Sequence, residues 1–248
     1  MSEKSTSGQQ LILNFPAYPE YTFANFISSQ GSQFACNAAK SICSSDTLSY
    51  NTLYISGGKG LGKTHLLISI GNEVTQHHKQ ALYVHCRDFV RKIQENDEGT
   101  VNEMVRKLVA VDYFLMDDVD EIVAKPVAQE KLYFIYNTLM ENKNKIVFTG
   151  TLNPNQLSAT ESFLVSRFQW GMTAELKPLD EAAMTETIKK LADTAGLLIP
   201  DNIINYLLHR IPRDFQSLKN TVTLINQESY KQKKKVSIPL IKGILNLP

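Results

Sequence analysis

The stretch Gly57-Gly58-Lys59-Gly60-Leu61-Gly62-Lys63-Thr64 decides the fold of this chain. It fits the pattern GxxxxGK[ST], directly after a predicted strand and directly before a predicted helix. Glycines, here Gly57, Gly58, Gly60 and Gly62, let the backbone turn its N–H groups inward around phosphates, and the helix adds its positive dipole end. The sequence therefore predicts a phosphate-binding loop. The alternative, a chance glycine turn, is disfavoured by this strand–loop–helix context.

Four side chains are expected to carry the chemistry of this site. Lys63 is placed to reach the β- and γ-phosphates of a nucleotide, and the Thr64 hydroxyl to bind Mg²⁺. The strand Val111–Met116 ends in Asp117 and Asp118. Asp117 is expected to hold Mg²⁺ and Asp118 to polarise the attacking water. An ordinary acidic turn is the alternative, which the phosphate loop disfavours, so ADP or ATP with Mg²⁺ are the expected cofactors.

Strands and helices alternate from Tyr50 onward. Short apolar runs predict five strands, at Thr52–Ser56, Ala81–His85, Val111–Met116, Ile146–Gly150 and Thr173–Leu176. The helices predicted between them are Thr64–His77, Phe89–Gln94, Val101–Val109 and Val127–Asn142. This order predicts an α/β fold, a parallel five-stranded sheet with helices on both faces.

The pattern changes after Pro178. Four segments then read as helices, each opening near an Asp or a Pro: Asp180–Ala195, Asp201–Arg210, Asp214–Lys231 and Ile238–Leu245. We therefore expect three parts, namely a flexible N-terminal segment at 1–19, a nucleotide-binding domain at 20–177 and a small all-helical domain at 178–248.

Composition argues against several classes of protein. Of the 248 residues, 43% are apolar and 21% charged, and the net charge of +1 gives no sign of a basic, polyanion-binding domain. Cys36, Cys43 and Cys86 lack CxxC spacing, which indicates neither a disulfide framework nor a zinc site. No run approaches the roughly 18 apolar residues of a membrane span. Met1–Gln10 lacks the apolar region of a signal peptide, so we expect a cytoplasmic protein.

Three stretches make the chain resemble AAA+ ATPases of the DnaA group. Tyr21–Phe26 (YTFANF) resembles the opening of the DnaA AAA+ region, and Gly57–His65 is close to its phosphate loop, including the His. Ser166–Gly171 (SRFQWG) resembles the segment with the family's arginine finger. The resemblance spans about residues 20 to 230 and implies an AAA+ P-loop module with a helical lid. It also implies that His65 belongs to the nucleotide site and that Arg167, at the start of the last strand, is the finger.

The same resemblance assigns two sensor positions. Thr151, after the strand Ile146–Gly150, matches the first sensor, where DnaA proteins usually carry Asp. Thr can still donate one hydrogen bond, but we expect the chain's own nucleotide turnover to be weak or absent. Arg213, which opens a helix of the small domain, matches the second sensor; an exposed helix-terminal Arg is the alternative.

Both ends of the chain are similar to the Hda branch of that family, whose members act with the sliding clamp to inactivate ATP-bound DnaA. Ser229–Leu247 resembles the close of Hda, and Gln10–Phe15 (QLILNF) is similar to the QLxLxF peptide that docks on the bacterial clamp. The implied clamp anchors are Gln10, Leu11, Leu13 and Phe15. The alternative is a strand added to the protein's own sheet.

The expected function is a nucleotide-binding regulator of chromosomal replication initiation that docks on the clamp and promotes hydrolysis of DnaA-bound ATP through Arg167. The expected partners are DnaA and the sliding clamp, with DNA contacted only indirectly or weakly and self-assembly left open. With an end at Pro248, we expect no domain like the DNA-reading domain of DnaA, in line with this function. A DNA-acting AAA+ ATPase, either a truncated initiator or a helicase loader, is the alternative. It is favoured by residues 87–109, which are about as long as the initiator-specific helical insertion of DnaA.

Overall fold

The computed structural model describes residues 12–15, 17–44 and 50–245. The strands in these ranges are β1 (Ile12–Asn14), β2 (Thr52–Gly57), β3 (Ala81–His85), β4 (Tyr113–Asp117), β5 (Lys145–Gly150) and β6 (Met172–Leu176). The first six α-helices are α1 (Gln33–Cys43), α2 (Lys63–Gln76), α3 (Cys86–Glu95), α4 (Glu98–Leu108), α5 (Pro126–Glu141) and α6 (Ser162–Gln169). They are followed by α7 (Glu181–Thr194), α8 (Asp201–Leu208), α9 (Phe215–Gln232) and α10 (Ile238–Ile244). Of these helices, α1 and α6 were not predicted.

The described strands form one sheet in the order β1-β3-β4-β5-β2-β6. β3, β4, β5 and β2 are joined by parallel pairing, with Leu82 opposite Phe114 and Phe114 opposite Ile146. The five predicted strands are β2 to β6, which confirms the predicted fold. β1 adds a sixth strand, antiparallel to β3, with Leu13 opposite Tyr83.

Helices cover both faces of the sheet. Along β4 successive side chains point to opposite faces. Phe114 and Met116 join a buried core cluster with residues of α3, α4 and α5. Tyr113 points the other way, where its hydroxyl donates to the Ile42 carbonyl of α1 at 3.0 Å. Strands covered on both faces need near-continuous apolar sequence, which is why these strands were readable as apolar runs.

The chain divides into two compact units. The larger unit holds the sheet as far as Ala174 and most of α1 to α6, whereas the smaller holds α7 to α10 together with Ile27–Phe34 and Gly58–Gly62. The helices of the smaller unit share a core of their own, in which Leu218 and Ile225 are fully buried. No helix within the described ranges is long and apolar enough to cross a membrane.

Aspartates cap two of the four C-terminal helices, which fits the helix starts predicted near them. The Asp180 carboxylate accepts from the Ala183 N–H at 2.8 Å at the start of α7. The Asp214 carboxylate accepts from the Ser217 N–H at 2.9 Å at the start of α9. Such caps satisfy N–H groups that have no partner inside the helix.

Candidate nucleotide site and arginine-bearing face

The predicted phosphate loop connects β2 to α2. Gly60 and Gly62 have φ angles of 77° and 97°, a left-handed conformation that favours glycine. Gly60 also has no room for a side chain, because a Cβ there would lie 2.7 Å from Asp214 Oδ1. Lys63 is buried, and its Nζ donates to the Gly57 carbonyl at 2.8 Å. The ammonium group therefore lies inside the loop.

Asp117 is the most enclosed acid of the site, with 1% of its surface exposed. The hydroxyls of Thr64 and Tyr83 both donate to its Oδ2, at 2.7 and 2.9 Å. The Thr149 hydroxyl donates to its Oδ1. Burial, followed by the charge of Asp117, raises the pKa of Tyr83, so this hydroxyl remains a donor. A carboxylate and a hydroxyl in contact are the oxygen ligands that Mg²⁺ prefers, so Asp117 and Thr64 fit this ion.

Asp118 is held in a different way. It adopts a left-handed conformation with φ of 51°, which is uncommon for a residue other than glycine. Its N–H donates to Thr149 Oγ1 at 3.0 Å, and its Oδ2 lies 3.4 Å from His85 Nε2. The hydrogen bond with His85 lowers the pKa of Asp118, and the same contact raises the pKa of His85. The second acid is thus ionised and engaged by an imidazole.

Sequence reasoning missed three residues of this site, Tyr83, His85 and Thr149. Tyr83 and His85 lie on β3 and Thr149 on β5, the two strands that flank β4 in the sheet. The carboxyl ends of parallel strands meet at one edge of a sheet, where ligands commonly bind. Polar residues near the ends of the flanking strands were therefore the available signal.

Thr151, the predicted first sensor, has an exposed side chain. Its backbone N–H donates to the Asp120 carboxylate rather than to either of the paired acids. The hydroxyl that meets the acids belongs to Thr149, two residues earlier and still within β5. The sensor role of Thr151 stays a prediction.

His65 lies at the start of α2 and faces the YTFANF segment. Its Nε2 is 2.9 Å from the Thr22 carbonyl, and its ring centre is 5.0 Å from that of Tyr21. Burial lowers the pKa of His65, which favours the neutral ring. Two turns further along α2, the Asn72 side chain bonds both the N–H and the carbonyl of Ala17, each at 2.8 Å. The helix that carries Lys63 and Thr64 therefore also fixes residues 17–26.

Arg167 lies in the helix α6, not at the start of β6 as predicted. The helix continues to Gln169 because its residues Leu164 and Phe168, one turn apart, are both fully buried. Arg167 Nε donates to Asn137 Oδ1 at 3.2 Å. The guanidinium carbon lies 5.0 Å from the ring centre of Trp170, 5.5 Å from Tyr133 and 5.8 Å from Tyr136.

Arg213, the predicted second sensor, directly precedes the residue that caps α9. In the smaller unit its Nη2 lies 3.1 Å from Glu181 Oε1, and both side chains are about half exposed. Exposed pairs of this kind contribute little to stability, so the pair does not explain why an arginine is needed here. The sensor role of Arg213 stays a prediction.

The predicted clamp peptide is only partly described, because Gln10 and Leu11 lie outside the described residues. Leu13 belongs to β1, whose backbone pairs with β3. The Phe15 ring packs on Gly71 of α2 so closely that a Cβ on Gly71 would lie 2.1 Å from Phe15 Cζ. The described part of the peptide thus lies on the protein's own sheet, as in the alternative. Clamp binding stays a prediction.

A glycine-rich loop between a buried strand and a helix, with paired acids at the end of another strand and a helical lid, defines a P-loop module of the AAA+ class. Residues 18–175 match the family described as the bacterial DnaA ATPase domain. Residues 180–245 match the Hda lid domain. The chain belongs to the DnaA/Hda family.

Curated relatives carry the name chromosomal replication initiator protein DnaA. The protein of Thermotoga petrophila is 33% identical over 243 residues, which cover 96% of this chain and 54% of the relative. That of Symbiobacterium thermophilum is 32% identical over 210 residues, or 84% of this chain and 46% of the relative. The chain therefore spans about half the length of these relatives.

Two solved structures show the same relationship. Domain III of the Thermotoga maritima replication initiation protein DnaA has 31% identity and a TM-score of 0.84, covering 93% of this chain and 98% of that one. A replication initiator DnaA bound to AMPPCP and single-stranded DNA has 28% identity and a TM-score of 0.78, covering 87% and 69%.

Proposed function

We propose that the chain binds ATP or ADP together with Mg²⁺ at the phosphate loop. Support comes from Lys63, whose ammonium group lies inside the loop, and from the contact between Thr64 and Asp117. Thr64 and Asp117 would hold the ion, which would neutralise charge on the phosphates. A similar DnaA has been solved with AMPPCP bound, which supports the same site here.

The proposed function of this nucleotide-binding chain is regulation of replication initiation: it docks on the sliding clamp and supplies Arg167 to the ATP of a DnaA molecule. The observation that carries the proposal is the placement of Arg167 on an aromatic face whose Trp170 is 69% exposed. P-loop catalysis depends on stabilising charge on the phosphate oxygens. A guanidinium from a neighbouring molecule can be worth roughly 10³- to 10⁵-fold in rate.

The chain's own nucleotide turnover is weak or absent in this proposal. Asp118 would have to polarise the attacking water, yet its carboxylate is engaged by His85. Thr151, the position of the first sensor, departs from the usual Asp and has an exposed side chain. Bound nucleotide would then serve mainly to organise the fold around the loop.

DnaA itself is the proposed partner, and the match to the Hda lid domain supports a role in that machinery. Docking on the clamp rests on the sequence Gln10–Phe15. Since Phe15 packs on Gly71 and β1 pairs with β3, this peptide would have to leave the sheet before it could enter a groove on the clamp.

The test combines DnaA carrying labelled ATP, DNA-loaded clamp and this protein, and measures the fraction converted to ADP. Arg167→Ala should abolish the stimulation while leaving nucleotide and clamp binding unchanged. Arg167→Lys should also fail, because a point charge does not replace the planar fork. Arg210→Ala is the matched control, since Arg210 also lies over a ring, that of Tyr206, but in the other unit. Undiminished conversion by Arg167→Ala would exclude a finger acting in trans.

A DNA-acting ATPase is the second candidate, favoured by the basic residues of α3 and α4. Two of them, Lys92 and Lys107, line a hollow of about 220 Å³. Several of these charges are paired, however, as with Arg87 and Glu121 or Lys107 and Glu103. Tight binding of single-stranded DNA without clamp binding, and no conversion of DnaA-bound ATP by the wild-type protein, would favour this candidate.

A further inference from the structure

Trp170 is the single tryptophan of the chain, and it is 69% exposed. It caps the C-terminus of α6, where its N–H donates to the Arg167 carbonyl at 3.3 Å. Exposed aromatic side chains also occur nearby on α5 and α6, at Phe134 and Phe163. One exposed ring alone needs no explanation, but several exposed aromatic side chains in one part of the surface often mark a contact surface.

The ring lies beside the arginine on which the proposed function depends. Among the described residues, the rings over the Arg167 guanidinium are those of Tyr133, Tyr136 and Trp170. Trp170 is the nearest of them, at 5.0 Å, and the most exposed. Together with Asn137, Met140 and Glu141, Tyr136, Arg167 and Trp170 line an open hollow of about 420 Å³.

The contacts of Arg167 suit a side chain whose charge must remain available to bind an anion. None of the ion pairs among the described residues includes Arg167; its Nε donates to the neutral amide of Asn137, and the guanidinium also meets the Tyr133 hydroxyl, which is likewise neutral. A carboxylate partner would compete with a phosphate for the guanidinium, whereas ring faces hold a cation weakly at an exposed site. Contacts between an arginine and a phosphate are charge-assisted and stronger. The guanidinium is thus oriented while its charge remains available.

We propose that Trp170 is a positioning residue for Arg167: its indole keeps the guanidinium in one stacked orientation, in which the N–H edge is presented to the phosphates of a partner's bound nucleoside triphosphate. The hydrolysis step rests on the proposed function. The stack itself does not, and it can be measured in the isolated protein.

In the conversion assay, Trp170→Ala should lower the maximal stimulated rate about two- to fivefold, the factor expected from an exposed cation–π contact. The concentration of this protein that gives half-maximal stimulation should stay the same. Trp170→Phe should restore most of the rate, because it keeps a ring face, whereas Trp170→Leu should not. Phe134→Ala is the control, since Phe134 is 56% exposed but is not among the rings over Arg167.

Two outcomes of this assay would overturn the proposal. Full activity of Trp170→Leu would mean that apolar area suffices. A higher half-maximal concentration at an unchanged maximal rate would make Trp170 an ordinary docking contact. If the wild-type protein stimulates nothing, the proposed function fails, and the stack is then judged by fluorescence alone.

Fluorescence of the isolated protein reports on Trp170 without interference, since it is the single tryptophan. A guanidinium beside the indole attracts iodide, so Arg167→Ala should lower the ratio of quenching by iodide to quenching by neutral acrylamide. Because acrylamide is uncharged, dividing by its quenching corrects for any change in the solvent exposure of Trp170. Arg210→Ala should leave the ratio unchanged. An equal ratio in wild type and Arg167→Ala would show that the stack does not form in solution.

Discussion

The nucleotide site and the arginine-bearing face hold their charged groups by opposite means. Asp117 is 1% exposed and receives hydrogen bonds from three hydroxyls. Arg167 is only half buried and is held by ring faces and one neutral amide. A buried charge is costly unless it is fully hydrogen-bonded, so the first site must be built in advance. The second is open to solvent, and its contacts can be exchanged for those of a partner.

Loss of the Lys63 ammonium group is expected to have a large effect on nucleotide binding, because it removes the positive charge from the enclosed site. Lys63→Ala should weaken ADP and ATP binding by at least about tenfold, as a charge-assisted contact of roughly 1.5–3 kcal/mol is lost. Titration calorimetry measures the change. Lys59→Ala is the control, since Lys59 belongs to the same loop but is exposed. Equal affinities of Lys63→Ala and wild type would remove the nucleotide site from the proposal.

The N-terminal strand tests whether a segment that pairs with the protein's own sheet can also bind a partner. Replacing both Leu13 and Phe15 by Ala should lower the affinity for the sliding clamp well over tenfold, because apolar anchors typically cost at least about 2 kcal/mol each when truncated. Surface plasmon resonance with immobilised clamp measures the change. Binding as tight as that of wild type would assign this segment to the protein's own sheet alone.

The Thr149 hydroxyl allows a test of how much the hydrogen bonds of the enclosed site stabilise the fold. It is fully buried, donates to Asp117 and accepts from the Asp118 N–H. Thr149→Val should therefore lower the free energy of unfolding by about 1–3 kcal/mol, since buried polar groups lose their partner. Thr151→Val, at an exposed position, should change it by less than about 0.5 kcal/mol. Urea unfolding of the two variants measures this difference. If both variants lose the same free energy of unfolding, the enclosed hydrogen-bond network does not stabilise the fold.

The parts of the fold that sequence reasoning predicted share a local cause. Strands covered on both faces read as apolar runs, and Asp180 and Asp214 mark the starts of helices because a cap is a local hydrogen bond. The loop Gly57–Thr64 was readable because its backbone conformation demands glycine. The role of Arg167 was suggested only by the resemblance to the family, because no local pattern distinguishes this residue from other arginines.

The parts that were missed depend on which strands become neighbours. Tyr83 and Thr149 lie far from Asp117 in sequence and meet it only because β3 and β5 flank β4. The role of Gly71 is likewise invisible in the sequence, where a glycine inside a helix reads only as a mild defect. Its reason is the Phe15 ring, which occupies the space of a side chain.

Gly71→Ala provides the smallest and most specific test, because it disturbs the packing of Phe15 on α2 without changing Phe15 itself. A glycine inside a helix costs about 0.5–1 kcal/mol relative to alanine, so Gly71→Ala favours α2 itself. The added Cβ would lie 2.1 to 2.5 Å from atoms of the Phe15 ring, which must then move away. If the packing of Phe15 on Gly71 competes with the clamp, its loss should raise clamp affinity on the order of fivefold, the equivalent of about 1 kcal/mol.

Two measurements separate the possible results of Gly71→Ala. Hydrogen exchange should show faster exchange of the backbone amides of Ile12–Asn14, whether or not the clamp binds, because β1 is held on β3 next to Phe15. Surface plasmon resonance should show the gain in clamp affinity. Gly243→Ala is the matched control, since a Cβ on this helical glycine of α10 meets nothing within 4 Å. Faster exchange without tighter clamp binding would mean that release of the strand does not limit docking. Unchanged exchange would mean that Phe15 does not hold the strand.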